Sequence, residues 1–393
     1  MPPTDRRYRI AIVLGTRPEA IKMAPVIRQL RRRPGLFQPL VITTSQHREM
    51  LAQAMRAFRI NSDIDLGLTH HNQTLADFTA RALIALTATF RQVNPDLLLV
   101  QGDTSTVISS ALAAFYHGVP IGHVEAGLRS GDTRRPFPEE VNRRMASSVT
   151  DIHFAPTELA RENLLRERIS DEHIHVTGNT IVDALQEIRH DGAFEDPALN
   201  QLDWVNRQVL LATVHRRENL GQNLRDICAA FRRIVELHPQ VDIVIPVHLN
   251  PMVREVVLPE LRNVEGIHLL EPMAYHDLIE VMRRSRLVLT DSGGIQEEAP
   301  ALRKPVLILR SLTERPEVIE SGFGELVGCD RDLIVDEVHR LLSDPVAYAS
   351  MTSGENPFGD GHAAERIVAV ITERCLAGKL FASPYVEAPV PQH

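Results

Sequence analysis

Three carboxylates in the first half of the chain stand where proton-transfer groups are usually found. Asp103 follows an apolar run at 96–100, and Glu125 follows a second such run at 120–124. Both runs have the pattern of buried strands. Glu139 comes fourteen residues after Glu125, behind two prolines in an arginine-rich segment. Because open parallel sheets bind ligands outside the carboxyl ends of their strands, we expect these groups to act as general acids or bases rather than to fill a core.

Other polar side chains also follow predicted strands. They are Arg17 after the first strand, and His215, His248 and Ser292 after strands at 208–213, 242–247 and 287–290. Random placement would scatter such residues over both ends of the strands. Their common position therefore indicates one shared cleft.

Residues 291–294, Asp-Ser-Gly-Gly, have the pattern of a strand-to-helix turn that could bind a phosphate or diphosphate. Two glycines allow the backbone to approach a ligand, and the start of the helix offers N–H groups and the positive end of its dipole. A simple tight turn could have the same sequence, so the assignment depends on its neighbours. Arg315 could compensate diphosphate charge, and Glu298 could bind ribose hydroxyls. Glu297 is expected on the exposed surface.

His215 precedes Arg216 and Arg217, and a histidine beside two cations is expected to stay neutral. This environment favours a functional His215, whereas His123 lies within a predicted strand and is typical of a core histidine. His215, His248, His117 and His123 lack the short spacing of metal ligands. No Gly-x-Gly-x-x-Gly follows the first strand, and there is no Walker A lysine motif. The sequence thus predicts neither a metal nor an organic cofactor.

The composition is that of a soluble protein with two domains. The chain has 393 residues, which is too long for one ordinary core, with 44% hydrophobic and 24% charged residues. A net charge of −8 favours neither nucleic acid nor an anionic membrane as a partner. No apolar run approaches the roughly 20 residues of a membrane span, and the charged N-terminus does not lead into a signal peptide. With three scattered cysteines, the protein is expected to be cytoplasmic with reduced thiols.

Strands alternate with helix-length segments, which predicts βαβ units and parallel sheets. The predicted strands fall into two series, at 8–14, 39–44, 96–100, 120–124, 152–154 and 173–176, and at 208–213, 242–247, 267–270, 287–290 and 306–309. Between the series, at 188–206, lies a polar stretch that we interpret as a linker. We therefore expect two Rossmann-like, doubly wound α/β domains, at 1–187 and 207–362, facing a cleft. Residues 381–393, with three prolines, are expected to form a loose tail.

Taken together, these residues resemble the non-hydrolysing bacterial UDP-N-acetylglucosamine 2-epimerases. The resemblance runs from Gly15 to about Gly361, nearly the whole chain. It is carried by an ordered set of motifs, at 15–19 (GTRPE), 46–48 (QHR), 102–104 (GDT), 123–129 (HVEAGLR), 138–143 (PEEVNR), 215–219 (HRREN), 246–251 (PVHLNP) and 291–300 (DSGGIQEEAP). Any one motif alone would be weak, but so many in order are specific.

The resemblance implies the two-domain GT-B architecture of metal-independent glycosyltransferases, with a C-terminal helix within 363–380 that crosses back to the first domain. It also implies reversible C2 epimerisation of UDP-GlcNAc to UDP-ManNAc for surface polysaccharide synthesis. In this family the C2 proton is removed and UDP is expelled to give a glycal, after which UDP is added back and a proton is returned to the other face of C2. Neither NAD nor an essential metal is required.

The functional residues of the family carry over to matching positions here. The acid–base candidates are Asp103, Glu125 and Glu139, with His215 as a further catalytic contact. Which carboxylate makes which proton transfer stays open. The UDP contacts would be Arg17, Ser292, Gly293, Gly294 and Arg315 at the diphosphate, with Lys22 a weaker candidate, Glu298 at the ribose, and Pro272, Met273 and Leu278 at the uracil. The resemblance also implies a homodimer.

Bacterial members are activated by substrate bound in a second site beside the active site. The matching positions here are Gln46, His47, Gln73, Glu139, Arg216 and His248. Asn72 departs from the pattern, because related sequences carry arginine before Gln-Thr-Leu. A lost guanidinium would weaken diphosphate binding, so reduced sigmoidicity is expected.

Other functions stay open on the sequence alone. A metal-independent glycosyltransferase would need the same UDP site, but not three carboxylates in the donor cleft. A hydrolysing epimerase would release ManNAc and UDP, and an epimerase of a UDP-diacetamido sugar would share the chemistry. A catalytically silent nucleotide-sugar sensor is disfavoured because the acid–base residues are present.

Overall fold

The computed structural model describes residues 7–45, 48–70, 73–188 and 192–381, and the chain divides into two compact units. The N-terminal unit runs to Ala184 and takes up the chain again at Gly359, while the C-terminal unit spans Leu185–Phe358. No helix within the described ranges has the length and apolar composition to cross a membrane. Apart from Phe381, the predicted tail lies outside the described residues.

The N-terminal unit contains a parallel sheet whose described strands follow the order β3-β2-β1-β4-β5-β6-β7. These strands are β1 (Tyr8–Leu14), β2 (Phe37–Thr43), β3 (Ile64–Asp65), β4 (Leu97–Gln101), β5 (Ile121–Val124), β6 (Ile152–Ala155) and β7 (Ile174–Val176). The helices are α1 (Arg17–Arg31), α2 (Arg48–Ala57), α3 (Leu75–Val93), α4 (Ser105–Tyr116), α5 (Glu139–Ser147), α6 (Glu158–Arg166) and α7 (Thr180–Glu187). All carboxyl ends of the strands therefore lie along one edge of the sheet.

The β1–α1 turn positions the first residues of the site. Residues 10–14 are apolar and buried, as expected for an inner strand covered on both faces. The chain turns at Gly15, where a Cβ atom would collide with the Thr106 side chain. Pro18 lies in the first turn of α1, where its missing N–H is tolerated. This close packing brings the start of α1 to the carboxyl edge of the sheet.

The C-terminal unit contains a second parallel sheet, with described strands in the order β10-β9-β8-β11-β12-β13. These strands are β8 (Gln208–Thr213), β9 (Val241–Pro246), β10 (Ile267–Leu270), β11 (Leu287–Thr290), β12 (Val306–Ile308) and β13 (Gly324–Leu326). The helices are α8 (Pro197–Asn200), α9 (Gln222–Leu237), α10 (Pro251–Leu261), α11 (Tyr275–Arg284), α12 (Gly293–Ala301), α13 (Pro316–Glu320), α14 (Arg331–Ser343) and α15 (Pro345–Ser350). Two parallel-sheet α/β units confirm the predicted fold class.

Part of the stretch interpreted as a linker packs on the C-terminal unit. Phe194 and Trp204 stack with ring centroids 5.3 Å apart, and the Arg284 guanidinium lies 4.9 Å from the Phe194 ring. The main-chain N–H of Glu195 donates to Asp277 at 2.9 Å. The two aromatic rings give this otherwise polar stretch apolar surface to bury. Residues 189–191 lie outside the described residues.

The last helix, α16 (Ala363–Ala377), belongs to the N-terminal unit, in agreement with the crossing helix that the resemblance implies. The Asp183 carboxylate caps its start by accepting the main-chain N–H groups of Ala363 (3.2 Å) and Ala364 (2.8 Å). Near its other end, the Tyr8 hydroxyl donates to the Cys375 carbonyl at 2.7 Å. One end of α16 is thus fixed to α7 and the other to β1, both in the N-terminal unit that carries the predicted acid–base residues.

Candidate active site

Glu125 follows β5 in a conformation that glutamate rarely adopts. Its φ angle is +65°, in the left-handed region, which costs an L-residue about 1–3 kcal/mol. The carboxylate accepts a hydrogen bond from Asn179 Nδ2 at 3.1 Å and forms a buried ion pair with Lys22. Such strain persists where surrounding contacts over-determine it, and it concentrates at functional sites. The contacts of Glu125 are therefore those of a positioned group.

Lys22 was the weaker candidate for the diphosphate. The structure places it on α1, buried, with its ammonium group against the Glu125 carboxylate. Lys22 and Glu125 are thus brought together in the N-terminal unit. Arg17 lies in the same unit, half-buried, in the first turn of α1.

Asp103 follows β4 and is tied to α5. Its carboxylate pairs with the Arg143 guanidinium, whose Nε lies 3.1 Å from Oδ2. Its main-chain carbonyl accepts from Asn142 Nδ2 at 2.9 Å. Glu139 is the half-buried first residue of the same helix. Because β4 and β5 are adjacent in the sheet, the Asp103 and Glu125 segments leave the same edge side by side.

Glu140, which the sequence analysis did not single out, organises this region. Its side chain is completely buried and pairs with Arg144 at 2.8 Å and with Arg143 at 3.3 Å. It also accepts the main-chain N–H of Ser130 at 3.0 Å. The spacing of Glu140 to two arginines, three and four residues later on a helix, was a readable signal of these pairs.

Glu19 is a second carboxylate that the sequence analysis missed. It is buried in α1 and accepts hydrogen bonds from the main-chain N–H groups of Gly15 and Thr16 and from the Thr104 hydroxyl. Burial raises the pKa of Glu19 to about 7, although these hydrogen bonds lower it, and the charge of Asp103 adds to the rise. Glu19 thus joins the turn after β1 to the turn after β4. Its place three residues after Thr16 is the spacing of a capping box.

His123 is a core histidine, as its place in a strand predicted. It is fully buried in β5, with Nε2 2.7 Å from the Gly102 carbonyl oxygen. Burial lowers the pKa of His123 to about 4. The ring is therefore neutral and helps to fix the backbone just before Asp103.

In the C-terminal unit, two guanidinium groups converge on the start of α12. Ser292 is the N-cap residue and Gly293 is the first residue of the helix. A Cβ atom on Gly293 would lie 3.4 Å from Nη1 of Arg315 and 3.5 Å from Nη2 of Arg216. Helix N–H groups and two guanidinium groups around a glycine are suited to a diphosphate. Arg216, assigned from the resemblance to the second substrate site, is thus also beside the predicted diphosphate site.

The expectation that Glu297 lies on the exposed surface is wrong. The residue is 1% exposed, and its Oε1 accepts from Arg315 Nε at 2.8 Å. Arg315 also contacts Glu314 at 3.4 Å. These two carboxylates hold the Arg315 guanidinium beside Gly293. The sequence did not reveal the pairing because Arg315 comes from a different loop.

Glu298 and the residues predicted to surround uracil are joined by Tyr275. The Tyr275 hydroxyl donates to Glu298 Oε1 at 2.7 Å, and both side chains are buried. Tyr275 lies within the segment that carries the three uracil candidates, the buried Met273 and Leu278 and the exposed Pro272. The structure therefore connects Glu298, the predicted ribose residue, to the segment that carries the uracil candidates, and Tyr275 is a contact that the sequence analysis missed.

His215 lies against Asp291 and His248. Its Nδ1 is 3.2 Å from Asp291 Oδ1, so its surroundings include a carboxylate as well as the neighbouring arginines. The rings of His215 and His248 stack with centroids 5.3 Å apart and an angle of 19° between their planes. A predicted catalytic residue and a predicted second-site residue are thus in contact.

The remaining second-site candidates are in the N-terminal unit. Gln73 is half-buried just before α3, and its Oε1 accepts from the His70 N–H at 3.2 Å and from the Arg81 guanidinium. Gln46, His47 and Asn72 lie outside the described residues. Across the described part of the chain, no group of three or more His, Cys, Asp or Glu side chains is arranged to hold a metal ion.

Sequence comparisons relate the chain to one family. A family model described as UDP-N-acetylglucosamine 2-epimerase matches residues 28–372. The UDP-N-acetylglucosamine 2-epimerase of Bacillus subtilis (strain 168) is 46% identical over 363 residues, which cover 92% of this chain and 94% of that protein. The protein of the same name from Escherichia coli (strain K12) is 45% identical over 366 residues, which cover 92% of this chain and 97% of that protein.

A solved structure gives the same relationship. The crystal structure of UDP-GlcNAc 2-epimerase from Neisseria meningitidis bound to UDP-GlcNAc matches with a TM-score of 0.88 at 42% identity. The match covers 93% of this chain and all of the other. With identities this high over almost its whole length, the chain belongs to the UDP-N-acetylglucosamine 2-epimerase family.

Proposed function

We propose that this protein interconverts UDP-GlcNAc and UDP-ManNAc by inversion at C2 of the sugar. The relatives of this name support the substrate, and one of them was crystallised with UDP-GlcNAc. The observation that carries the proposal is the pair of carboxylates, Asp103 and Glu125, at the carboxyl ends of the adjacent strands β4 and β5. Two neighbouring groups that can exchange protons suit a reaction that removes and returns one proton.

The proposed reaction proceeds by elimination and addition. A carboxylate takes the C2 proton, a C1=C2 double bond forms, and the electrons of the C1–O bond leave with UDP. UDP then adds back to C1 while a proton is delivered to the opposite face of C2. Atoms and charge balance without an oxidant. Asp103, Glu125 and Glu139 are proposed to supply the acid–base groups, with His215 as a further contact. The product would provide ManNAc units for surface polysaccharides.

The leaving group is proposed to bind mainly to the C-terminal unit. Ser292, Gly293 and Gly294 would offer N–H groups to the diphosphate. The guanidinium groups of Arg315 and Arg216, both close to Gly293, would offset the negative charge as the C1–O bond breaks. Arg17 is proposed to add a third guanidinium, Glu298 to bind the ribose hydroxyls, and Pro272, Met273 and Leu278 to surround the uracil.

Lys22 is proposed to position Glu125 rather than to bind phosphate. Its ammonium group already contacts the Glu125 carboxylate in a buried pair, and Asn179 holds the same carboxylate from another side. A charge partner favours the ionised form of a carboxyl group. This arrangement supports Glu125 as a proton acceptor in the resting enzyme.

Substrate activation is proposed to be weak in this protein. The contact of His248 with His215 supports communication between the predicted second site and a catalytic residue. Asn72 nevertheless replaces an arginine of the family pattern. Rates measured against UDP-GlcNAc concentration are expected to follow a nearly hyperbolic curve, and a steeply sigmoidal curve would contradict this proposal.

A homodimer is proposed through the face formed by α3, α4 and α5. These helices pack side by side and expose apolar side chains, Ile84, Phe115, Tyr116 and Met145. Apolar groups exposed on adjoining helices are typical of a protein interface. Light scattering should give twice the chain mass, and Phe115→Glu should shift the protein toward the monomer. A wild-type monomer at micromolar concentration would contradict the dimer.

Incubation of the purified protein with UDP-GlcNAc alone tests the activity. UDP-ManNAc should accumulate to an equilibrium mixture without any sugar acceptor. Release of free ManNAc and UDP would indicate a hydrolysing enzyme instead. Turnover only after addition of an acceptor would indicate a glycosyltransferase.

A further inference from the structure

Asp291 is a buried carboxylate that connects two turns of the C-terminal unit. It directly follows β11, and its side chain is completely enclosed. It accepts the main-chain N–H groups of His215 (2.9 Å) and Arg216 (2.8 Å) and Nδ2 of Asn219 (3.0 Å). All three donors lie in the segment after β8. Asp291 therefore fixes this segment against the turn that begins α12.

One further contact goes to an imidazole ring. His215 Nδ1 lies 3.2 Å from Asp291 Oδ1. An ionised carboxylate oxygen can only accept a hydrogen bond, so at this distance it favours a proton on Nδ1 and leaves Nε2 to exchange a proton with a ligand. Burial raises the pKa of Asp291, but the hydrogen bonds from His215 and Arg216 and the charge of His215 together lower it by more. The pKa of Asp291 is therefore below its usual value. Asp291 thus remains an ionised acceptor.

The plane of the His215 ring is fixed by a second histidine. His248 stacks on it at 5.3 Å, and His248 Nδ1 accepts the main-chain N–H of Asn250 at 3.1 Å. Because Nδ1 of His248 acts as an acceptor, it carries no proton in this arrangement. His215 is therefore constrained in its plane by one ring and in its tautomer by one carboxylate. Its side chain is still about one-third exposed, so a ligand can reach it.

We propose that Asp291 is the positioning residue that holds His215 in the Nδ1–H tautomer and presents Nε2 to the substrate. In this state Nε2 can accept one proton and later return it, while Asp291 stabilises the imidazolium form that exists in between. The inference deepens the proposed function, on which it rests for the assignment of His215 as a substrate contact. The carboxylate itself touches no substrate atom.

Asp291→Asn tests the positioning role. The asparagine Oδ1 can still accept main-chain N–H groups, but its Nδ2 then faces Nδ1 of His215 and favours the opposite tautomer. We expect kcat to fall roughly 100-fold or more, within the range for loss of a general acid or base, with KM changed less than about threefold. Asn219→Ala is the matched control, because it removes another hydrogen bond to Asp291 and leaves the ring contact. Its kcat should remain within a few fold of wild type.

A double-mutant cycle separates positioning from folding. In a His215→Ala background, Asp291→Asn should not lower kcat further, because the ring that it positions is gone. Two losses that multiply would overturn the proposal, since they would show that Asp291 acts independently of His215. An Asp291→Asn variant with the kcat of wild type would overturn it as well.

Nitrogen NMR of the ligand-free wild type decides the question without turnover. With 15N-labelled histidine, the signals absent in His215→Ala identify the ring among the 17 histidines. A protonated Nδ1 and a basic Nε2 are expected, and the reverse tautomer would refute the inference even if Asp291→Asn does not fold. If the wild type shows the expected tautomer but does not epimerise UDP-GlcNAc, the proposed function fails and the positioning remains.

Discussion

Gly293→Ala should separate stability from ligand binding. Gly293 begins α12, and a Cβ atom there would make ordinary contacts of 3.4 Å with Arg315 and 3.5 Å with Arg216. The fold can therefore accept the methyl group. Alanine in a helix is up to about 1 kcal/mol more favourable than glycine, so the free energy of unfolding should stay the same or rise slightly.

Binding of UDP should change in the opposite direction. The added methyl group occupies the space between the two guanidinium groups, where a phosphate oxygen must lie in the proposed site. One hydrogen bond to a charged group contributes about 1.5–3 kcal/mol. Since about 1.4 kcal/mol is a tenfold change in affinity, the Kd for UDP should rise roughly 10- to 100-fold.

Calorimetric titration of UDP and thermal unfolding measure the two effects on the same samples. Gly35→Ala is the matched control, because a Cβ atom at Gly35 meets open space in the N-terminal unit. It should bind UDP with the affinity of wild type. If Gly293→Ala stays folded and binds UDP as wild type does, the start of α12 is not the diphosphate site. If Gly293→Ala unfolds, the statement that the fold accepts the methyl group is wrong.

Three further predictions concern buried ionisable groups. Glu140→Gln should destabilise the protein by about 3–5 kcal/mol in urea unfolding, because two arginines lose a buried partner; a loss no larger than that of an exposed glutamate of α6 would contradict the network. Glu125→Gln should lower kcat by roughly 100- to 10,000-fold with the affinity for UDP unchanged, and near-normal turnover would exclude Glu125 from the chemistry. Burial lowers the pKa of His123 to about 4 and that of His153 to about 3. As the pH falls below 6.5, both histidines take up protons in the unfolded chain but stay neutral in the folded chain. The folded state therefore loses stability relative to the unfolded state. Glu19, whose pKa burial raises to about 7, acts in the opposite direction. The three groups together should lower the free energy of unfolding as the pH falls from 6.5 to 5, with a slope that is small at pH 6.5 and reaches about 1.4 kcal/mol per pH unit near pH 5. Urea midpoints that do not change over this range would contradict the assigned burial.

The elements that position the site were largely predictable because their signal is local. Apolar runs with helix-length spacing predicted parallel sheets, and parallel sheets place residues that follow strands at one edge. Asp103 and Glu125 were expected there for this reason, and they are found there. The short strands β3 and β13, of two and three residues, were not predicted.

The partners of the site residues were less predictable because they depend on tertiary contacts. Glu297 looked like an exposed helical residue, yet Arg315 comes to it from a later loop. His215 looked like a histidine among arginines, and its acidic partner Asp291 is 76 residues away. Lys22 was assigned to a phosphate by resemblance, whereas the fold brings it to Glu125. Motifs located these residues, but only the packed chain determined their pairs.

The most direct test of the central claim follows the proton at C2. The protein is incubated with UDP-GlcNAc in heavy water, and the sugar protons are followed by NMR. Inversion by proton removal and return predicts UDP-ManNAc, and recovered UDP-GlcNAc, that carry deuterium at C2. Formation of UDP-ManNAc that keeps its original C2 proton would contradict exchange through Asp103, Glu125 and Glu139, and no change at C2 after long incubation would contradict the proposed activity itself.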